Sequence, residues 1–201
     1  MTSPPPDLAA LRRELRARRQ VLSPALRIAA AQQVAARLHA LPHLPSQGFA
    51  AGYWAVGGEI ALHAWQVALP PGLVYCLPVL QEGGLLRFAP WRPGDALSTN
   101  RFGIPEPDVP PTELIAPQDL ALAVMPLVGF DDRCHRLGMG GGWYDRSFAT
   151  REASQSPLPL LVGVGFEVQR VDRLTPAAWD VRLDAVCTEA ATYMHRETPI
   201  E

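Results

Sequence analysis

At 201 residues, with 48% hydrophobic residues and a net charge of -2, the chain is long enough to bury a core and short enough for a single domain spanning 1–201. No apolar run approaches the roughly 18 residues of a membrane span, and the opening MTSPPPDL lacks the basic start and apolar stretch of a secretory signal, so a cytoplasmic protein is expected. All 18 basic residues are arginine, which excludes lysine Schiff-base chemistry and a P-loop lysine and leaves any phosphate to arginine, backbone or metal. Cys76, Cys134 and Cys187 are few, widely spaced and odd in number, as reduced thiols are. The slightly negative charge and dispersed arginines speak against nucleic acid as a partner.

Asp7 is a suitable N-cap for a helix starting near Leu8, and Leu8, Leu11, Leu15 and Leu22 recur at helical spacing. Arg12, Arg16 and Arg19 form a second stripe, whose like charges repel by a few tenths of a kcal/mol per pair. That stripe needs either solvent or an anion. Ser23 and Pro24 restart a helix through about residue 40, with Ile28, Ala31, Ala35 and Leu38 as its buried face. Residues 49–55 read as a buried strand and 56–59 as the loop after it. Glu59 is then expected to open a helix over 60–69, where a carboxylate complements the helix dipole.

Residues 73–80 and 85–91 read as strands around a Gly83-Gly84 hairpin turn. The stretch 95–108 carries few regular signals, although Pro107 holds Glu106 extended and so fixes where its carboxylate points. A structural turn is a rival role for Glu106. An apolar strand at 120–128 leads through a turn at Gly129-Phe130-Asp131 into four crowded glycines, Gly138, Gly140, Gly141 and Gly142, with a helix from about 142 to 151. Residues 160–166 are apolar throughout, as a central parallel strand should be, and 179–189 give a last loop and strand. Strands separated by helical segments imply an α/β fold, a three-layer α/β/α arrangement with a mostly parallel sheet and ligands beyond its carboxyl edge.

The glycine loop is the chemically informative stretch. A glycine-rich turn feeding a helix N-terminus aims unpaired N–H donors and the positive end of the dipole at one point, which suits phosphate. Arg136 before the loop can grip phosphate oxygens bidentately, and Asp145 after it is a natural ligand for Mg²⁺. The loop is neither GxxxxGK[ST] nor GxGxxG, so on glycines alone a structural turn is a rival reading. No nucleophile and base stand out: Ser147 lies outside any GxSxG elbow, and the histidines lack metal spacing.

Gly129-Phe130-Asp131, followed by Arg136-Leu137-Gly138-Met139-Gly140-Gly141-Gly142-Trp143-Tyr144-Asp145, closely resembles the signature of the 5-formyltetrahydrofolate cyclo-ligase (5,10-methenyltetrahydrofolate synthetase) family, and the likeness runs from about Leu11 to Glu189. The resemblance implies a Rossmann-like sheet of the CoA-transferase type and a monomer acting on two small molecules, 5-formyltetrahydrofolate and ATP, with Mg²⁺ as cofactor. It implies that Arg12 and Arg136 bind ATP together with Leu137, Gly138, Met139, Gly140, Gly141, Gly142, Trp143 and Tyr144. Trp54, Glu59 and Glu106 would hold the folate with Met139, Gly140, Gly141, Gly142 and Trp143. Arg136, Tyr144 and Asp145 would be catalytic, and Asp145 and Asp180 would hold the metal, while Asp184 starts the last strand. The sequence departs from the family pattern at Leu8 and Gly141, where the family carries lysine, so greater reliance on Mg²⁺ is expected. A folate-binding paralogue without catalysis, or a sugar-phosphate or CoA-transferring enzyme of related architecture, would use the same loop differently.

Overall fold

The computed structural model describes residues 7–151 and 159–195. In α1 (Leu8–Gln20) the Asp7 carboxylate accepts the N–H groups of Ala9 and Ala10, and in α2 (Pro24–His39) the Ser23 hydroxyl accepts that of Leu26, so both helices begin where their capping residues stand. α2 buries Ala30, Val34, Ala35 and Leu38, while Ile28 is 63% exposed. The buried stripe is therefore rotated from the expected one. Alanine is apolar enough for either face, and the bulkier Val34 decides the matter.

The remaining elements are β1 (Gly48–Ala51), α3 (His63–Val67), β2 (Leu73–Leu80), β3 (Leu86–Pro90), β4 (Leu97–Thr99), β5 (Pro105–Pro107), β6 (Leu120–Pro126), β7 (Gly129–Phe130), β8 (Arg136–Leu137), α4 (Trp143–Phe148), β9 (Leu160–Val164), β10 (Ala185–Cys187) and β11 (Thr192–Met194). Seven strands form the central sheet in the order β11-β10-β9-β6-β1-β2-β3. Its five inner strands are parallel, and an antiparallel strand closes each edge: β3 through the Gly83-Gly84 turn, and β11, which the sequence reading did not anticipate.

Strand alternation sends Leu122 and Val124 to one face, against α2 and α3, and Ala123 and Met125 to the other, against Phe88, Phe148 of α4 and the segment around Val181 and Leu183. Each such buried large aliphatic side chain contributes about 1.5–3 kcal/mol of transfer free energy. The fold is the expected three-layer α/β arrangement, although irregular chain supplies most of the second outer layer. No helix among the described residues is long and apolar enough to cross a membrane.

Three local expectations are corrected. α3 starts at His63 rather than Ile60, and Leu62 caps it with no side-chain bond. Glu59 instead folds back to accept the N–H of Val56 at 3.1 Å, closing a turn over Gly57 and Gly58, both at positive φ. The segment 95–108 is a two-stranded ribbon of β4 and β5, whose turn is held by Asn100 Oδ1 accepting the N–H groups of Phe102 and Ile104. Finally, Gly129 and Phe130 do not turn but pair with Leu137 and Arg136, and the reversal comes later, around buried Asp131.

Candidate active site

The loop 138–142 leaves β8 just beyond the carboxyl end of β6, where ligands of parallel sheets bind. Gly140 (φ 97°) and Gly142 (φ 64°) take left-handed conformations that cost other residues about 1 kcal/mol or more. Side chains hold the loop by its carbonyls: Arg12 Nε donates to Gly138 O at 2.8 Å, and Arg146 Nη2 to Gly141 O at 2.6 Å. The N–H groups of residues 138–142, in contrast, donate to no acceptor among the described residues. The carbonyls of Gly138 and Gly141 are thus held from behind while the loop's amides stay unpaired. α4 has only 6 residues, so the donors this loop can offer an anion are its amides rather than a helix dipole.

α1 lies across this loop. Gly129 permits the approach, since a Cβ there would stand 2.5 Å from Leu15 Cδ1. Contrary to a simple solvated face, the arginine stripe points into the site. After Arg12, Arg16 Nη2 meets Met139 Sδ at 3.1 Å, and buried Arg19 donates to Gly57 O at 2.8 Å and Leu127 O at 3.4 Å. Glu59 completes that line. Burial raises its carboxyl above the 4.5 of an ordinary glutamate, opposed by the Val56 N–H and by the charges of Arg19 and Arg16.

The hydroxyls of Tyr53 and Tyr144 lie within electrostatic range of Glu59. Burial, then the Glu59 charge, pushes the phenols of Tyr53 and Tyr144 up, and burial does the same to Tyr75. Tyr53 donates to Ile60 O at 2.6 Å. Tyr75, Arg16 and Arg19 were not among the expected site residues. The available signals were a tyrosine within the apolar β2 strand, paired with Ala50 of β1, and the spacing of the arginines. Trp54 is 36% exposed and packs edge-on against Trp91 at 5.7 Å. Glu106 is tied to the ribbon and to β2, its Oε2 accepting from Asn100 Nδ2 and from the Leu80 N–H, each at 3.2 Å. The ribbon still reaches the loop, because Phe102 packs edge-on against Trp143 and Arg101 lies over both rings.

Arg136, 6% exposed in its side chain, is turned inward: it donates to Asp145 Oδ1 and to Val181 O rather than standing free as a phosphate clamp. The same Asp145 oxygen accepts the Val181 N–H at 3.2 Å. This ties Asp145 to the backbone one residue after Asp180, whose Oδ2 accepts the Ala177 N–H at 2.9 Å. The second oxygen of each carboxylate accepts no hydrogen bond from a described residue. Two carboxylates with spare oxygens fit Mg²⁺, which takes one or two protein carboxylates and completes its shell with phosphate and water. Among the described residues no group of three or more metal-binding side chains occurs, so the protein alone offers no closed metal cage. Asp184 accepts from Leu161 N and Arg151, at the start of β10 as expected.

The model of the 5-formyltetrahydrofolate cyclo-ligase family matches residues 6–189. This chain belongs to that family. The 5-formyltetrahydrofolate cyclo-ligase of Escherichia coli K12 is 31% identical over 186 residues, covering 89% of this chain and 98% of the relative. That of Haemophilus influenzae is 36% identical over 135 residues, 65% of this chain and 70% of the relative. The solved 5,10-methenyltetrahydrofolate synthetase of Aquifex aeolicus superposes with a TM-score of 0.77 at 28% identity, covering 95% of this chain and 94% of the other. The Mycoplasma pneumoniae synthetase, at 21% identity and a TM-score of 0.68, shares the fold. Cyclo-ligase family membership thus joins the glycine loop, the α1 arginines and Glu59 within one matched segment.

Proposed function

We propose that this chain converts 5-formyltetrahydrofolate and ATP to 5,10-methenyltetrahydrofolate, ADP and phosphate; the relatives it matches are named 5-formyltetrahydrofolate cyclo-ligase and 5,10-methenyltetrahydrofolate synthetase. The observation that carries the reading is the line from the unpaired amides of residues 138–142, along the α1 arginines, to half-buried Glu59. One end suits the phosphates of a nucleotide. The other offers a carboxylate to the adjacent N–H groups of a pterin, a pairing stronger than a neutral hydrogen bond. One domain working as a monomer carries both ends, and three buried free cysteines accord with the cytoplasm.

Both nucleophiles belong to the substrate. The formyl oxygen attacks the γ-phosphorus as the bond to the ADP oxygen breaks. N10 then attacks the formyl carbon, the carbon–oxygen bond breaks, and phosphate leaves with the N10 proton. The protein must align reactants and balance charge, which is positioning and electrostatics. The loop amides and Arg12 hold the triphosphate. Arg136 keeps Asp145 in place beside the phosphates. Tyr144, its phenol held neutral near Glu59, shapes the formyl pocket and can donate to the formyl oxygen. Trp54 and Glu106 line the folate side with Trp143. Mg²⁺ would be held by Asp145 and Asp180 and supplies neutralising charge at the phosphates when bound.

Purified protein given ATP, Mg²⁺ and 5-formyltetrahydrofolate should show rising methenyltetrahydrofolate absorbance with stoichiometric ADP. Folate binding with no ADP released would identify a binder instead, and affinity for a sugar phosphate or CoA without folate affinity would reject the reading.

A further inference from the structure

We infer that Arg16 binds the phosphoryl group in transit, its guanidinium holding the terminal phosphate oxygens as they pass from the nucleotide to the formyl oxygen. The inference rests on the cyclo-ligase reading and adds a residue to it. Of the three arginines on the inner stripe of α1, Arg12 gives its Nε to Gly138 O and keeps its Nη groups for the triphosphate, while Arg19 gives its Nη groups to Gly57 O and Leu127 O. Arg16 has no oxygen partner among the described residues. Its one hydrogen bond goes to the Met139 thioether, a weak acceptor, and its Nε, like those of Arg19 and Arg37, is buried without an acceptor, so that Arg16 differs from them in having no oxygen on its Nη groups either. An arginine left in that state is an incomplete site, because buried donors in folded proteins find acceptors and a guanidinium fits two oxygens of one anion.

The position of Arg16 says which anion. Met139 belongs to the loop whose amides are unpaired, and is itself 55% exposed. On its other side Arg16 is close enough to Glu59 to act on that carboxyl electrostatically. A group between the phosphate cradle and the folate carboxylate is where the phosphorus–oxygen bond to ADP breaks and the bond to the formyl oxygen forms. The chain has no lysine to serve there. Nor does the loop offer room for one at residue 141 in this arrangement, since a Cβ on Gly141 would lie 2.8 Å from Trp143 Cδ1. Arg16 brings the missing charge from the helix above the loop.

The test compares wild type with Arg16→Ala, Arg16→Gln, Arg16→Lys and Arg13→Ala, the last an exposed residue of the same helix, in the absorbance assay with thermal unfolding measured alongside. Arg16→Ala and Arg16→Gln should lower kcat about 100-fold, the cost of one missing donor to developing charge. KM for 5-formyltetrahydrofolate should change by less than about 3-fold, since ground-state folate binding does not use this donor. Arg16→Lys should recover roughly 10-fold of the loss by restoring charge without the fork, and Arg13→Ala should behave as wild type. An active wild type whose Arg16→Gln variant keeps kcat, or a loss in Arg16→Ala and Arg16→Gln that tracks a lowered unfolding temperature and that lysine does not recover, would overturn the assignment of Arg16 and leave the cyclo-ligase reading standing. An inactive wild type would overturn both.

Discussion

Asp145 is asked to do two things, and substitution separates them. Its Oδ1 accepts both from Arg136, which is almost fully buried, and from the Val181 N–H. Asp145→Ala removes both acceptors at once. A buried guanidinium stripped of its counter-charge, keeping only Val181 O as acceptor, costs about 3–5 kcal/mol, and the orphaned Val181 amide adds about 1 kcal/mol. Asp145→Asn keeps an oxygen in the same place and removes only the charge, which should cost about 1–2 kcal/mol. Urea unfolding reads the difference: with a slope of roughly 3 kcal/mol per molar for a domain of this size, the alanine midpoint should fall by about 1–2 M and the asparagine midpoint by less than about 0.7 M. The absorbance assay should rank the variants differently. Asparagine cannot serve as an anionic metal ligand, so both variants should lose at least about 100-fold in rate and should need more Mg²⁺ than wild type. An Asp145→Asn protein with ordinary rate and Mg²⁺ dependence would refute the metal role, and an Asp145→Ala protein as stable as wild type would refute the buried pair.

Glu59→Gln tests the folate end. Because burial raises the Glu59 pKa in the folded chain, this group favours folding at pH below 4.5 and loses that contribution as pH rises through its raised value. At neutral pH the glutamine variant should therefore unfold at a higher temperature than wild type, with the gain vanishing in acid, while folate affinity falls about 10- to 100-fold through loss of a charged acceptor. Wild-type kcat/KM for the folate should fall with acid above the range of an ordinary glutamate, and the variant should lack that limb. Asp131 behaves in the opposite sense. Burial would raise its pKa, but the N–H groups of Leu174 and His135 and the His135 ring outweigh it, so its stabilisation is present above pH 3.8 and is lost as pH falls through the lowered value. Asp131→Ala strands the N–H groups of Arg133, His135 and Leu174 and should cost roughly 3–5 kcal/mol in urea unfolding, with a flatter acid limb.

Much of this arrangement was legible from residue order. The β6 strand, its glycine loop and the acidic and basic residues flanking it are contiguous, so composition alone placed them together. Helix caps at Asp7 and Ser23 were equally local. What could not be read depended on contacts made at a distance. Glu59 looks like a helix opener because nothing near it in sequence reveals that buried Arg19 will draw the chain at Gly57 toward α1. The arginine stripe looks solvated until the glycine loop, more than a hundred residues away, is laid against it. The β4–β5 ribbon has prolines and few alternating residues, and its pairing comes from the Asn100 turn rather than from a hydrophobic pattern.

The helix bearing those arginines rests on its own small cluster, Leu15 with Val128, Leu137 and Leu174, apart from the two clusters that pack the sheet. The sheet scaffold and the arginine-bearing helix are thus packed separately. A substitution on the outer turns of α1 can therefore change the charge set above the glycine loop while leaving the sheet's packing untouched.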